Sequence, residues 1–86
     1  MPWSLRITAR AEKELARLPP ADREAIRRIL RRLPTDFGAL DVTKLAGGGN
    51  RWRLRVGKWR VILTLDNGAG TISVVRVLDR KDAYRN

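Results

Sequence analysis

The chain has 86 residues, 43% of them hydrophobic and 33% charged, which suits one small folded domain with a modest core and argues against a disordered chain. Fifteen arginines and four lysines stand against nine acidic residues, a formal net charge of +10, so the leading partners are nucleic acid or an acidic protein, and the arginine bias favours bidentate recognition of phosphate or carboxylate. Neither cysteine nor histidine occurs, which excludes disulfides, thiol chemistry, Cys/His zinc sites and histidine acid–base catalysis.

The first residues, MPWSLRIT, lack the apolar stretch of a secretion signal, and no apolar run approaches a membrane span. A cytoplasmic protein with no membrane partner is the expectation. Trp3, Leu5 and Ile7 alternate with polar residues, the period of a half-buried strand. Thr8 can cap a following helix in which Ala11, Leu15 and Leu18 share one face, and Pro19 and Pro20 break it. Pro20 suits the first turn of a second helix with the apolar stripe Ile26, Ile29, Leu30 and Leu33, and Pro34 is expected to stop it. Arg27, Arg28, Arg31 and Arg32 lie on or beside its outer face, where a solvated surface is the plainer reading and contact with RNA or an acidic partner the alternative.

Residues 35–50 are looser, with Phe37 as an anchor and an extended piece near Val42 and Leu45. Gly47, Gly48 and Gly49 read as a connecting turn, and no Gly-Lys-Ser/Thr follows to make a phosphate loop. Three strand-like runs come next, over 51–56, 59–65 and 71–78. Gly57 and Lys58 are placed for a two-residue hairpin turn, and Asp66, Asn67 and Gly68 mark the next one. The expected fold is therefore α+β, a small single domain over 1–86. An antiparallel sheet of about four strands carries an N-terminal helical hairpin on one face, in the order β-α-α-β-β-β.

With that turn, Arg55 faces Arg60 and Arg53 faces Ile62. Trp52, Leu54, Val56, Trp59, Val61 and Leu63 point to one side of the sheet, and Arg51, Arg53, Arg55 and Arg60 to the other. Like charges in direct register weaken a sheet by roughly 0.2–1 kcal/mol, so stability alone does not account for them. Guanidinium groups converging on a sheet face suit a polyanion and can stabilise the charge that develops on a phosphodiester under attack. A solvated edge or a patch for an acidic protein is the alternative. The terminal VLDRKDAYRN adds Arg80, Lys81, Tyr84 and Arg85. Tyr84 suits stacking on a base, acid–base work, or simply pinning the C-terminus. The scattered acidic residues do not suggest a metal site, and no cofactor is expected.

The whole arrangement resembles the RelE/ParE superfamily of bacterial toxins from type II toxin–antitoxin systems, and its RelE-like branch most closely. The resemblance rests on LPPADRE at the helical bend, on KLAGGGNRWRLRVGKWRVI, and on the terminal R-x3-Y within VLDRKDAY. It implies a ribosome-dependent, metal-independent mRNA endoribonuclease that works in the ribosomal A site, leaves a 2′,3′-cyclic phosphate and is silenced by a cognate, acidic antitoxin. Carried over by position, Tyr84 would activate the attacking hydroxyl, Arg60 and Arg80 would hold the scissile phosphate, and Arg53 and Arg55 would stabilise the transition state. Several relatives have lysine at the last two positions. Arginine does not give up its proton in proteins, so electrostatic stabilisation rather than proton donation is implied there. Lys44, Arg51, Lys58, Arg76, Lys81 and Arg85 complete the expected RNA-binding set. The alternatives are a ParE-like DNA gyrase inhibitor without nuclease activity, and a basic RNA-binding domain without catalysis.

Overall fold

The computed structural model describes residues 3–47 and 49–83. Strand β1 (Ser4–Ile7) ends at Thr8, whose extended backbone lets its Oγ1 accept a hydrogen bond from the Ala11 amide at 3.2 Å and so start α1 (Ala9–Ala16). Ala11 and Leu15 are the buried positions of α1. Pro19 and Pro20 force the turn, and Pro20 opens α2 (Pro20–Asp36), where a missing amide hydrogen costs nothing. Ile26, Leu30 and Leu33 are fully buried on α2, each stabilising the fold by roughly 1.5–3 kcal/mol.

Pro34 does not stop this helix: it lies inside α2, which runs on to Asp36. Proline removes the hydrogen bond its own nitrogen would have made and crowds the carbonyl four residues back, but only Thr35 and Asp36 follow it, so less than one turn is affected. Leu33 is anchored in the core, and Arg32 pairs with Asp36 at 3.2 Å across the proline. A single 3₁₀ turn over Phe37–Ala39 follows. It sets the Phe37 ring edge-on to Trp52, with centroids 5.4 Å apart.

The remaining strands are β2 (Val42–Lys44), β3 (Arg51–Val56), β4 (Trp59–Asp66) and β5 (Thr71–Asp79), and a short helix α3 (Arg80–Ala83) closes the described chain. They form a five-stranded sheet in the order β1-β5-β4-β3-β2. The fold is α+β with the helical hairpin on one face, as the sequence implies. Two details differ: the piece near Val42 is a fifth strand, and β1 runs parallel to β5, so the sheet is mixed rather than antiparallel. Alternation of apolar and polar residues looks the same in either direction, and direction is settled only when β1 finds its neighbour.

The β3–β4 register matches the expected one throughout, with Arg55 opposite Arg60 and Arg53 opposite Ile62. Gly57 alone in the turn has positive φ, at 58°, the pattern of a type II′ hairpin. Between β4 and β5 a bulge at Ile62 and Leu63 leaves Val75 without an opposite residue. One sheet face, with Leu54, Val61, Leu63, Ile72, Val74 and Val77, packs under the helices. The other face carries no helix from the hairpin, and the site lies there. Among the described residues no helix is long and apolar enough to cross a membrane.

Candidate anion-binding site

Asp41, Thr43, Arg53, Arg55 and Arg60 line a depression of about 230 Å³ on the open face, over strands β2, β3 and β4. Backbone pairing builds it: Thr43 lies opposite Arg53, and the Arg55 amide donates to the Asp41 carbonyl at 2.9 Å. Strand geometry therefore places three guanidinium groups and one carboxylate around a single concavity.

The two opposed arginines do not confront one another. Arg55 Nε donates to Asp41 Oδ2 at 2.6 Å, in a pair that is largely solvent-exposed. Arg60 is only 7% exposed, the one charged residue buried among those described. Its Nη1 donates to the carbonyls of Gly57 and Trp59, each at 2.9 Å, so the guanidinium is fixed by its own hairpin turn. Among the described residues no carboxylate pairs with Arg60. A buried cation satisfied only by neutral dipoles retains most of its field, and an anion entering the depression would meet it in a low-dielectric, preorganised setting. Ile62, 4% exposed, lies between Arg53 and Arg76 in the same cross-strand row.

The other expected site residues are dispersed. Arg51 stands on the same face, one alternation along β3 from Arg53. Arg76 is committed to Glu14 of α1, through Nε and Nη2 at 2.9 Å each. Lys44 and Lys58 belong to the helix side, their Nζ atoms 6.0 Å from the Trp52 ring and 5.0 Å from the Trp59 ring. Arg80 opens α3, its amide donating to the Lys58 carbonyl at 2.8 Å, and is not among the residues lining the depression. Lys81 follows it, exposed. Tyr84 and Arg85 lie outside the described residues. Among the described residues no group of three or more Asp or Glu is placed to hold a metal ion.

Asp41 and Thr43 were not singled out from the sequence. Their two-residue spacing would have put them on one face, but a strand of three residues offers too little alternation to fix which face. Glu14 is the other surprise. Its Oε1 accepts from the Val77 amide at 2.8 Å, closing β5 where β1 has ended, while Oε2 pairs with Arg76.

Comparison with known proteins agrees with this architecture. The family described as ParE toxin of type II toxin-antitoxin system, parDE, matches residues 5–84. A search of curated proteins returned no match. Among solved structures, the RelBE2 toxin–antitoxin complex of Mycobacterium tuberculosis superposes with a TM-score of 0.81 at 23% identity, covering 93% of this chain and 100% of that one. The RelE–RelB complex of Pyrococcus horikoshii gives 0.79 at 26% identity, covering 93% and 97%. The RelB–RelE complex of Methanococcus jannaschii gives 0.75 at 27% identity, covering 93% and 95%. The family match spans nearly the whole chain and the fold is that of RelE toxins, so this chain belongs to the ParE toxin family of type II toxin–antitoxin systems, within the RelE/ParE superfamily.

Proposed function

We propose that the protein is a ribosome-dependent mRNA endoribonuclease whose substrate phosphate enters the depression lined by Arg53, Arg55 and Arg60. The observation that carries this reading is Arg60, a buried guanidinium held by two carbonyls with no carboxylate partner among the described residues, opening into a concavity shared with two further arginines. In the reaction the 2′-oxygen of one nucleotide bonds to the adjacent phosphorus and the bond from phosphorus to the 5′-oxygen breaks. The attacking 2′-hydroxyl gives up one proton and the leaving 5′-oxygen takes one up, so the products are a 2′,3′-cyclic phosphate and a 5′-hydroxyl. Charge grows on the phosphoryl oxygens as the pentacoordinate state forms, and fixed guanidinium groups lower its energy without reorganising. Arg60 would hold the scissile phosphate. Arg55 would trade Asp41 for a phosphoryl oxygen, and Arg53 would complete the charge. Arg80 and Tyr84 are proposed as further phosphate and hydroxyl partners. The similar structures from Mycobacterium tuberculosis and Pyrococcus horikoshii are toxin–antitoxin complexes, and an acidic antitoxin covering the +10 chain is proposed here by the same logic.

A second reading, inhibition of DNA gyrase without chemistry, is favoured by the ParE family match. Mapping mRNA ends by primer extension in a reconstituted translation reaction, with and without ribosomes, separates the two. Cuts that require ribosomes and fall by about 100-fold or more in Arg60→Ala and Tyr84→Ala support the nuclease, since removing one transition-state donor typically costs that much. Intact mRNA together with lost supercoiling by gyrase would overturn it.

A further inference from the structure

We infer that the open sheet face holds a second phosphate subsite, formed by the cross-strand row Arg51, Thr64, Ser73 and Arg6, which binds the backbone of single-stranded RNA flanking the depression. The proposal rests on the RNA-binding reading above and names residues of β1, β4 and β5 that lie outside the depression. Its basis is register. Arg51 pairs with Thr64, Thr64 with Ser73, and Ser73 with Arg6, so the four side chains form one line across β3, β4, β5 and β1 on the arginine side of the sheet. The neighbouring line is Thr43, Arg53, Ile62 and Arg76, and the next begins with Arg55 and Arg60. Successive lines on one face are two residues apart, about 7 Å, which is of the order of the distance between neighbouring phosphates in an extended strand. The depression and the new row are thus two steps of one ladder.

Lack of a carboxylate partner does not by itself mark the row, since exposed Arg17 and Arg28 also have none among the described residues; what marks it is two such cations flanking hydroxyls in one line on one sheet face. Six other arginines, Arg10, Arg27, Arg31, Arg32, Arg55 and Arg76, each have a carboxylate partner. Arg6 and Arg51 have none among the described residues, although both are exposed and within side-chain reach of this face. They stand at the two ends of the row, three strand spacings or about 14 Å apart, and between them lie the hydroxyls of Thr64 and Ser73. Neither hydroxyl makes a hydrogen bond among the described residues, so both are free to donate. A pair of cations flanking free hydroxyls provides both the charge and the short-range donors that a phosphodiester accepts. The nearest acidic side chain along β4, Asp66, is turned to the following loop, where it accepts from the Ala69 amide at 3.0 Å.

The test is fluorescence anisotropy with a labelled 2′-O-methyl oligouridylate, which lacks the attacking hydroxyl, titrated over a salt series. Two lengths are used, a dinucleotide with a single phosphate and a strand of about ten nucleotides. Arg6→Gln/Arg51→Gln is compared with Lys13→Gln/Arg17→Gln, which removes the same charge from exposed positions on and just after α1. The expected result is about a tenfold loss on the longer strand, with a log–log salt slope shallower by about 1.4, near 0.7 for each lost phosphate contact. On the dinucleotide the loss shrinks to about twofold or less, because its single phosphate, seated in the depression, cannot also sit on the row about 7 Å away. Thr64→Val/Ser73→Ala should weaken the longer strand severalfold without changing the slope. If Arg6→Gln/Arg51→Gln behaves like the helix-side control while Arg55→Gln/Arg60→Gln weakens binding, the subsite is wrong and the depression stands. If Arg6→Gln/Arg51→Gln weakens binding and Arg55→Gln/Arg60→Gln does not, the row is supported and the depression reading falls. If neither pair differs from the control, both are overturned.

Discussion

Replacing Glu14 by alanine is expected to destabilise the protein by about 2–4 kcal/mol, more than any other single charge deletion. Besides a long contact with exposed Arg10 at 4.0 Å, the carboxylate serves two partners that have no substitute. Val77 N–H, on the part of β5 that β1 does not cover, donates to Oε1 at 2.8 Å, and Arg76 donates to Oε2 at 2.9 Å. A hydrogen bond to a charged group contributes roughly 1.5–3 kcal/mol. The Arg76 pair is mostly shielded, with side chains 23% and 19% exposed, so its loss adds about 1 kcal/mol or somewhat more as an incompletely solvated cation is left behind. For a domain of this size each kcal/mol lowers Tm by about 4–8 °C, so Glu14→Ala should melt about 8–32 °C lower. Glu14→Gln keeps an acceptor for Val77 and weakens the arginine contact, and should fall roughly midway. Urea denaturation of Glu14→Ala, Arg76→Ala and the double variant gives the coupling directly, expected at about 1–2 kcal/mol. A Glu14→Ala loss below about 0.5 kcal/mol, or a coupling near zero, would show that the edge of β5 is satisfied by water and that this reasoning is wrong.

Three further outcomes follow from the same geometry. Leu30→Ala, at a position 1% exposed in the centre of the core, should cost about 2–5 kcal/mol, read as a lower urea midpoint with unchanged slope. Asp41→Asn removes an exposed ion-pair partner of Arg55, so stability should fall by less than about 1 kcal/mol while oligonucleotide affinity rises by about fivefold at low salt; weaker binding would mean Asp41 assists rather than competes with the phosphate. Gly57→Ala places a side chain at φ 58°, and the strain should lower stability by roughly 1–2 kcal/mol in a thermal melt, although open space surrounds the position.

Much of the architecture was legible in the sequence because local rules decide it. Thr8 before an apolar period of three to four, the double proline, and Gly57-Lys58 between alternating runs each act within a few residues. Each appears in the structure where that local chemistry puts it. The alternation in RWRLRVGKWR likewise sorts arginine to one face and tryptophan, leucine and valine to the other, since side-chain direction in a paired hairpin follows from its turn. Pro34 misled because a stop signal near a helix end competes with burial of Leu33, and burial won.

Other features belong to the tertiary structure alone. That β1 lies parallel to β5 brings Arg6 into line with Arg51 across forty-five positions of sequence, and no local period encodes such an adjacency. Glu14 meets Val77 only because α1 passes the open edge of β5. Arg55 and Arg60, read from sequence as a repelling pair, are parted by Asp41 on one side and by the hairpin carbonyls on the other. Contacts between near neighbours set most of the elements, the sidedness of the sheet and the charge of its open face, so these can be read from the order of residues. Which arginines are neutralised and which are left to meet a phosphate was decided by strand order and by the carboxylates that strand order brings near, and those contacts exist only once the chain has folded.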